Sequence, residues 1–74
     1  MLPVQCRMAR VALNLGVRDL AVAAKVSTQT ISRFERGDEL KPSTIAAIRT
    51  ALESAGVELI PENGGGPGVR LKKP

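Results

Sequence analysis

Hydrophobic residues recur at helical spacing through the first three quarters of the chain. In the first segment, which Pro3 can open, they follow one another at steps of four, three, one and three residues. The residues on this stripe are Val4, Met8, Val11, Ala12 and Leu15. One stripe at this spacing predicts a helix that buries these side chains and ends near Asn14.

Residues 17–24 predict a second, short helix. Its predicted inward face carries Leu20, Ala21 and Ala24. Ala21 is small, which allows the following helix to approach closely. Gly16 serves either the end of the first helix or the start of the second.

The third segment begins with a helix-start signal at Val26 and Ser27. The Ser27 hydroxyl can accept a hydrogen bond from an unpaired N–H of the first turn, while Val26 packs against Ile31, one turn further on. A helix is therefore predicted from Thr28, with Ile31 and Phe34 facing inward. The outward side has no acidic residue and comprises Thr28, Gln29, Thr30, Ser32, Arg33 and Arg36. Hydroxyl, amide and guanidinium groups of this kind suit phosphate oxygens and base edges.

After the third predicted helix, the chain continues with one more helical segment and then changes to alternating patterns. After a loop over residues 38–42, Ser43 is predicted to cap a fourth helix that ends at Gly56. The predicted buried face of this helix comprises Ile45, Ile48, Leu52 and Ala55. Residues 57–60 and 69–72 then alternate like short strands, with the sequence PENGGGPG between them.

These elements predict a mainly α fold, in which four helices precede a two-stranded β-hairpin. We assign residues 1–56 to a helical domain and residues 57–74 to the hairpin and a basic tail. Phe34 is the only aromatic residue among 74, and a chain this short buries only about 60% of its unfolded surface. Aliphatic side chains must therefore fill a small core, which favours packed helices.

The positive charge of the chain is concentrated in its first half. The first 36 residues carry six basic and two acidic side chains, whereas the remainder carries five of each. A basic half of this kind predicts a surface that binds a polyanion. The alternative is a set of ordinary solvated arginines on a small basic protein.

The composition offers little material for enzyme chemistry. The sequence contains no His, one cysteine, Cys6, and no recognisable pair of carboxylates, so we predict neither catalysis nor a cofactor or metal. A single cysteine cannot form an intrachain disulfide, which favours a cytoplasmic location, and Cys6 is predicted to be buried on the first helix. The longest apolar run, residues 20–24, is too short for a signal peptide or a membrane span.

Seven residues around the second and third helices resemble the Cro/repressor-type (XRE) helix-turn-helix family. They fall at the spacings of its motif: Leu20, Ala21, Val26, Ser27, Ile31, Glu35 and Gly37. The resemblance extends from about Arg10 to Leu52 and implies a repressor-like DNA-binding domain whose third helix enters the major groove. It also implies an ion pair between Arg10 and Glu35, with a structural rather than a catalytic role.

The same resemblance implies which side chains contact DNA. Base reading is implied for Thr28, Gln29 and Arg33, with Ser32 beside them. Phosphate contact is implied for Arg36, Lys41 and Ser43, and either role for Thr30. The alternative is that these residues are only an exposed helix surface, solvated charges and a simple helix cap.

Two positions depart from the family pattern. Lys25 occupies the turn position at which the family usually has Gly, and a positive φ there costs a non-Gly residue about 1 kcal/mol. Val17 occupies a position that is often polar in the family, and its side chain cannot donate a hydrogen bond. Backbone N–H groups and Arg18 are then the remaining donors for a phosphate at that helix start.

We therefore predict a transcriptional regulator that occupies a double-stranded DNA operator, as a homodimer joined through the C-terminal hairpin. A first alternative is an antitoxin-like protein, in which the hairpin or tail holds a protein partner and DNA binding is autoregulatory. A second is a helix-turn-helix scaffold without DNA activity, because a fold does not determine a function. No membrane partner is expected.

Overall fold

A computed structural model describes residues 1–73 of the chain. Within this part the order of elements is α1 Pro3–Ala12, α2 Val17–Ala24, α3 Thr28–Arg36, α4 Pro42–Ala55, β1 Val57–Ile60 and β2 Gly68–Leu71. This order confirms the prediction of a mainly helical fold with a C-terminal hairpin. None of the helices in residues 1–73 is long and apolar enough to cross a membrane.

The turn between α2 and α3 and the two ends of α3 follow local sequence signals. The Ser27 Oγ accepts a hydrogen bond from the Thr30 N–H at 3.0 Å, which confirms Ser27 as the N-cap of α3. Gly37 ends α3 with φ of +100°, a conformation that side-chain-bearing residues rarely adopt. Lys25 takes φ of 59° in the turn, so the chain bears the strain predicted for that position.

The core is formed by one face of every helix and the inner side of the hairpin. Its largest fully buried side chains are Leu20, Ile31, Ile48, Leu52, Val57 and Cys6. The predicted inward faces of α2 and α3 are confirmed, since Ala21, Ala24 and Phe34 are buried as well. Val57 belongs to this core, so the packed interior continues past the end of α4.

The predicted inward face of α1 is wrong. Among its residues, Val4, Val11 and Ala12 are exposed, and Met8 and Leu15 are only half-buried. The buried side of α1 instead carries Gln5, Cys6 and Ala9. Val4 and Val11 remain 52% and 65% exposed on the opposite side. The helix turns Gln5 inward because its amide group finds backbone partners there, and the aliphatic stripe faces outward.

Gln5 joins α1 to both strands of the hairpin. Its Oε1 accepts a hydrogen bond from the Leu2 N–H at 2.8 Å. Its Nε2 donates to the carbonyl oxygens of Ile60 at 2.8 Å and Gly68 at 3.0 Å. Ile60 and Gly68 are paired across the hairpin, so one side chain holds the two strands where they meet the loop. These three bonds offset the cost of burying the amide.

The start of α4 differs from the prediction. Pro42 lies in the first turn, preceded by Lys41 as the N-cap residue, and Ser43 therefore lies inside the helix and does not cap it. The fixed φ of proline suits a first helical position, where the missing N–H costs nothing. Ala55 is exposed rather than buried, and Ala51 packs against the core in its place.

The hairpin covers one side of the helical bundle, as predicted. Its strands pair antiparallel with Val57 opposite Leu71 and Leu59 opposite Val69. Val57 and Leu59 are buried against α1 and α4, whereas Leu71 is 54% exposed. The second strand begins one residue earlier than predicted, at Gly68. Because Leu71 is the last residue of this strand and is exposed, the C-terminal end of β2 presents an apolar side chain to solvent.

Candidate nucleic-acid interface

The outward surface of α3 is polar and contains no acidic residue. Its exposed side chains are Thr28, Gln29, Ser32, Arg33 and Arg36. Ile31 and Phe34 hold the opposite side of the helix in the core at 0% and 3% exposure. Because these anchors are buried in a close-packed core, they fix the orientation of α3 and hence the side on which its exposed side chains lie.

Thr30 differs from these residues because it takes part in the helix cap. Its hydroxyl lies 2.8 Å from the Ser27 Oγ, and its N–H donates to the same oxygen. The side chain is half-buried. Thr30 consequently has less hydrogen-bonding capacity left for a ligand than the exposed Thr28 has.

An open cleft of about 460 Å³ separates α3 from the start of α4. It is lined by Val26, Ser27, Thr30, Arg33, Glu39, Leu40, Lys41 and Thr44. Arg33 and Lys41 line the same cleft, so one polyanion can reach both. Ser43 is exposed in the first turn of α4. Pro42 has no N–H and the Thr44 N–H donates to the Lys41 carbonyl at 3.0 Å, so the Ser43 N–H and hydroxyl are the donors that this helix start can offer an anion.

The start of α2 offers an anion fewer hydrogen-bond donors than the family resemblance implies. The Gly16 N–H donates to Oδ2 of Asp19 at 2.8 Å, so a carboxylate already occupies this helix end. Val17 is half-buried against the core, whereas Arg18 is exposed. Arg18 is therefore the side chain with which this helix start can meet an anion.

Asp38 is a residue of this surface that the sequence interpretation missed. Its Oδ2 accepts hydrogen bonds from Arg36 Nη2 at 2.9 Å and from Arg33 Nε at 3.4 Å. The bond from Arg36, with that from Arg33, lowers the pKa of Asp38 below its ordinary value. The signal that could have revealed it is Gly37, whose left-handed conformation directs the chain back so that the Asp38 N–H reaches the Arg33 carbonyl at 3.0 Å.

An ion pair fixes α3 against α1. Arg10 Nε and Nη2 donate to Glu35 Oε2 and Oε1 at 2.8 and 2.9 Å, and the two side chains are 17% and 5% exposed. Burial opposes ionisation of Glu35, but the donors of Arg10 outweigh it and lower the pKa of that carboxyl. Both carboxylate oxygens are engaged, which leaves the pair a structural role and no free base.

Cys6 lies beside this ion pair and is hydrogen-bonded to Glu35. Its Sγ donates to Glu35 Oε2 at 3.4 Å. Burial, together with the negative charge of Glu35, raises the pKa of the Cys6 thiol to about 12. The thiolate, which is the reactive form, is therefore scarce at neutral pH.

We expect the native protein to resist a thiol-reactive disulfide reagent at pH 8 and to release one equivalent of chromophore after unfolding in guanidinium. The reason is that Cys6 is both inaccessible and protonated in the fold. Absorbance with and without denaturant measures this difference. A Ser32→Cys variant serves as the control, because Ser32 is exposed and its thiol should react at once. Immediate reaction of the native parent chain would contradict the burial of Cys6.

Comparison with known proteins identifies a family for this chain. A search of curated proteins finds no match. A family model described as helix-turn-helix matches residues 7–59. The matched span covers most of the chain, including α2, α3 and both members of the ion pair. The chain thus belongs to the XRE-type helix-turn-helix family, a family of DNA-binding regulatory domains.

Proposed function

We propose that the protein is a sequence-specific transcriptional regulator that occupies its operator in the cytoplasm as a homodimer. The observation that carries this proposal is the exposed, polar surface of α3, which adjoins a cleft lined by Arg33 and Lys41. α3 enters the major groove, and bound protein blocks or recruits the polymerase.

Base reading in this proposal rests on the exposed side chains of α3. Arg33 donates two hydrogen bonds to a guanine, and Gln29 forms two with an adenine, each contact giving about 1 to 3 kcal/mol of discrimination. Thr28 and Ser32 are exposed on the same helix and contact neighbouring base edges. Their positions relative to one another follow from the helical spacing.

Phosphate contacts set the register of α3 in the groove. Lys41 and the first turn of α4, with Ser43, bind the backbone on one side of the cleft. Arg36 binds it near the C-terminal end of α3, and Thr30 adds a weaker contact beside the cap. These contacts carry little sequence information but supply much of the affinity.

We expect Arg33→Ala to weaken binding to a preferred duplex by about 1 to 3 kcal/mol while changing binding to random DNA little. Lys41→Ala should weaken both alike and lower the salt dependence by about one unit. The preferred duplex comes from selection among random sequences, and titrations at several salt concentrations then measure both variants. Arg49→Ala is the matched control, since Arg49 is an exposed arginine that pairs with Glu53 and does not line the cleft.

Two outcomes of this experiment would count against the proposal. If selection with the parent chain enriches no sequence, the protein is not a sequence-specific regulator. If Arg33→Ala loses equal affinity for preferred and random DNA, Arg33 contacts phosphate, and base reading belongs to other residues of α3.

The proposed dimer is joined by residues 57–74. Within the part of the chain that the structure describes, each strand of the hairpin pairs on one side only. The Lys72 N–H donates to the Gly56 carbonyl at 2.8 Å, so the alternation of an antiparallel pair directs the Leu71 N–H away from β1. Two such edges pairing about a two-fold axis form a four-stranded sheet and hold the two copies of α3 about 34 Å apart, one turn of DNA.

We expect Leu71→Lys to make the protein monomeric, because it replaces an exposed apolar side chain of the pairing edge with a charged one in each copy. Sedimentation at a chain concentration of about 100 μM measures the change, with binding to a palindromic duplex as a second readout. Val22→Lys is the control, since Val22 is 74% exposed on α2, outside the hairpin. A Leu71→Lys chain that remains as dimeric as the control would exclude this interface.

A second candidate function is supported by the outward side of α1. Leu2, at the N-cap of α1, and Val4 and Val11 within it are 47%, 52% and 65% exposed, and a protein partner would remove these aliphatic side chains from water. A parent chain that is monomeric in the sedimentation experiment would favour this candidate, an antitoxin-like protein whose partner covers α1 or the hairpin.

A further inference from the structure

Asp38 is an acidic group beside the outward surface of α3, which itself carries no acidic residue. Its position is set by the backbone, because its N–H donates to the Arg33 carbonyl at 3.0 Å directly after the left-handed Gly37. Its side chain is 37% exposed, and the carboxylate lies against the side chains of Arg33 and Arg36. The fold therefore places the backbone of Asp38 beside the two arginines, and the contacts with Arg33 and Arg36 then orient its carboxylate.

The two arginines meet this carboxylate in different ways. Arg33 contacts Asp38 through Nε at 3.4 Å, which leaves its two terminal nitrogens free. Those nitrogens are the pair that can bond a guanine end-on. Arg36 contacts Asp38 through the terminal Nη2 at 2.9 Å, so part of the end that would meet a phosphate is already occupied. The shorter contact thus holds Arg36, for which we propose phosphate binding. The longer contact leaves the terminal nitrogens of Arg33, for which we propose base reading, open to a ligand.

We propose that Asp38 is a specificity-determining positioning residue, which orients Arg33 toward a base and competes with DNA phosphates for Arg36. This inference rests on the proposed DNA-binding function and deepens it. On random DNA, where Arg33 finds no matching base, the carboxylate holds Arg36 and repels the backbone, so binding is weak. On the preferred sequence the base contact of Arg33 compensates for this loss. Asp38 thereby increases the ratio of specific to non-specific affinity.

Asp38→Asn tests this inference, because it removes the charge and keeps the shape of the side chain. We expect its affinity for random duplex DNA to rise about 3- to 10-fold at low salt, with a salt dependence steeper by about one unit as Arg36 gains a phosphate. Affinity for the preferred duplex should rise less, so the ratio of the two affinities falls. In the free protein, NMR should show faster exchange of the Arg33 Nε–H proton.

Two variants separate this role from a general effect of charge. Glu39→Gln changes the net charge equally at the next residue, which lines the cleft but forms no ion pair within residues 1–73, so it should alter both affinities by the same factor. When Arg36→Gln is added to Asp38→Asn, the double variant should no longer show the steeper salt dependence that Asp38→Asn causes alone. An Asp38→Asn protein with the same affinity ratio as Glu39→Gln would overturn the inference while leaving the proposed function intact. A parent chain that selects no sequence would overturn both.

Discussion

Glu35→Ala is expected to destabilise the fold by about 3 to 5 kcal/mol, because it leaves the Arg10 guanidinium largely buried and without its partner. Total stability for a chain of this length is about 4 to 11 kcal/mol, so the variant retains little of it. Guanidinium titrations followed by circular dichroism measure the loss. Glu53→Ala is the control, since Glu53 forms an exposed pair with Arg49 and its removal should cost less than about 1 kcal/mol.

A second variant keeps this prediction testable if Glu35→Ala does not fold. Replacing both partners, as Arg10→Met with Glu35→Leu, removes the uncompensated charge and should be less destabilising than the single change. A Glu35→Ala midpoint within about 1 kcal/mol of the parent would mean that the pair contributes no more than an exposed one.

The same pair makes stability depend on pH in a defined direction. Burial opposes ionisation of Glu35, but the Arg10 donors prevail, and its pKa in the fold lies below the ordinary value of 4.5. A group with a lowered folded pKa stabilises the protein fully above its unfolded pKa and loses that contribution as the pH falls toward the folded pKa. The parent should therefore lose stability below about pH 4.5, and Glu35→Gln should lose less over the same range.

Gln5→Ala is expected to cost about 2 to 4 kcal/mol, because three hydrogen bonds of a buried side chain are lost and two hairpin carbonyls lose a donor. Gln5→Glu should be at least as damaging, since a carboxylate cannot donate to the carbonyls of Ile60 and Gly68 and would be buried as a charge. Denaturant midpoints measure both changes. Gln29→Ala is the matched control, because Gln29 is exposed and its loss should stay within about 0.5 kcal/mol.

The site of this loss also predicts where the structure opens. Gln5 holds the strands at the loop end of the hairpin, so hydrogen exchange in Gln5→Ala should increase at β1 and β2 before it increases in α3. Uniform exchange across the domain would show that Gln5 stabilises the whole core rather than the hairpin.

Much of the candidate site could be predicted from short stretches of sequence. The Ser27 cap, the start of α3 at Thr28 and the inward direction of Ile31 and Phe34 depend on residues within about one helical turn of each other. The Gly37 end of α3 is of the same kind. The exposed surface of α3 follows directly, because a helix with one side in the core must present the other.

Other parts of the site depend on neighbours that the helical pattern does not specify. Asp38 lies outside α3, and its contact with Arg33 and Arg36 requires the particular path of the chain after Gly37. The position of Ser43 inside α4 was missed because Pro42 is a stronger helix start than a serine cap at that place. Both errors concern a boundary, where one or two residues change the role of a side chain.

The sequence by itself determined the order of the elements and the exposed polar surface of α3, because capping, turn conformation and helical periodicity are local. Only the tertiary structure decided which side of α1 is buried, since Gln5 finds its partners Ile60 and Gly68 at separations of 55 and 63 residues. The hydrogen bonds that these distant carbonyls accept from the Gln5 amide outweigh the cost of leaving the aliphatic stripe of α1 in solvent. An apolar stripe therefore predicts a helix, but the partners available in the fold determine the direction in which that helix faces.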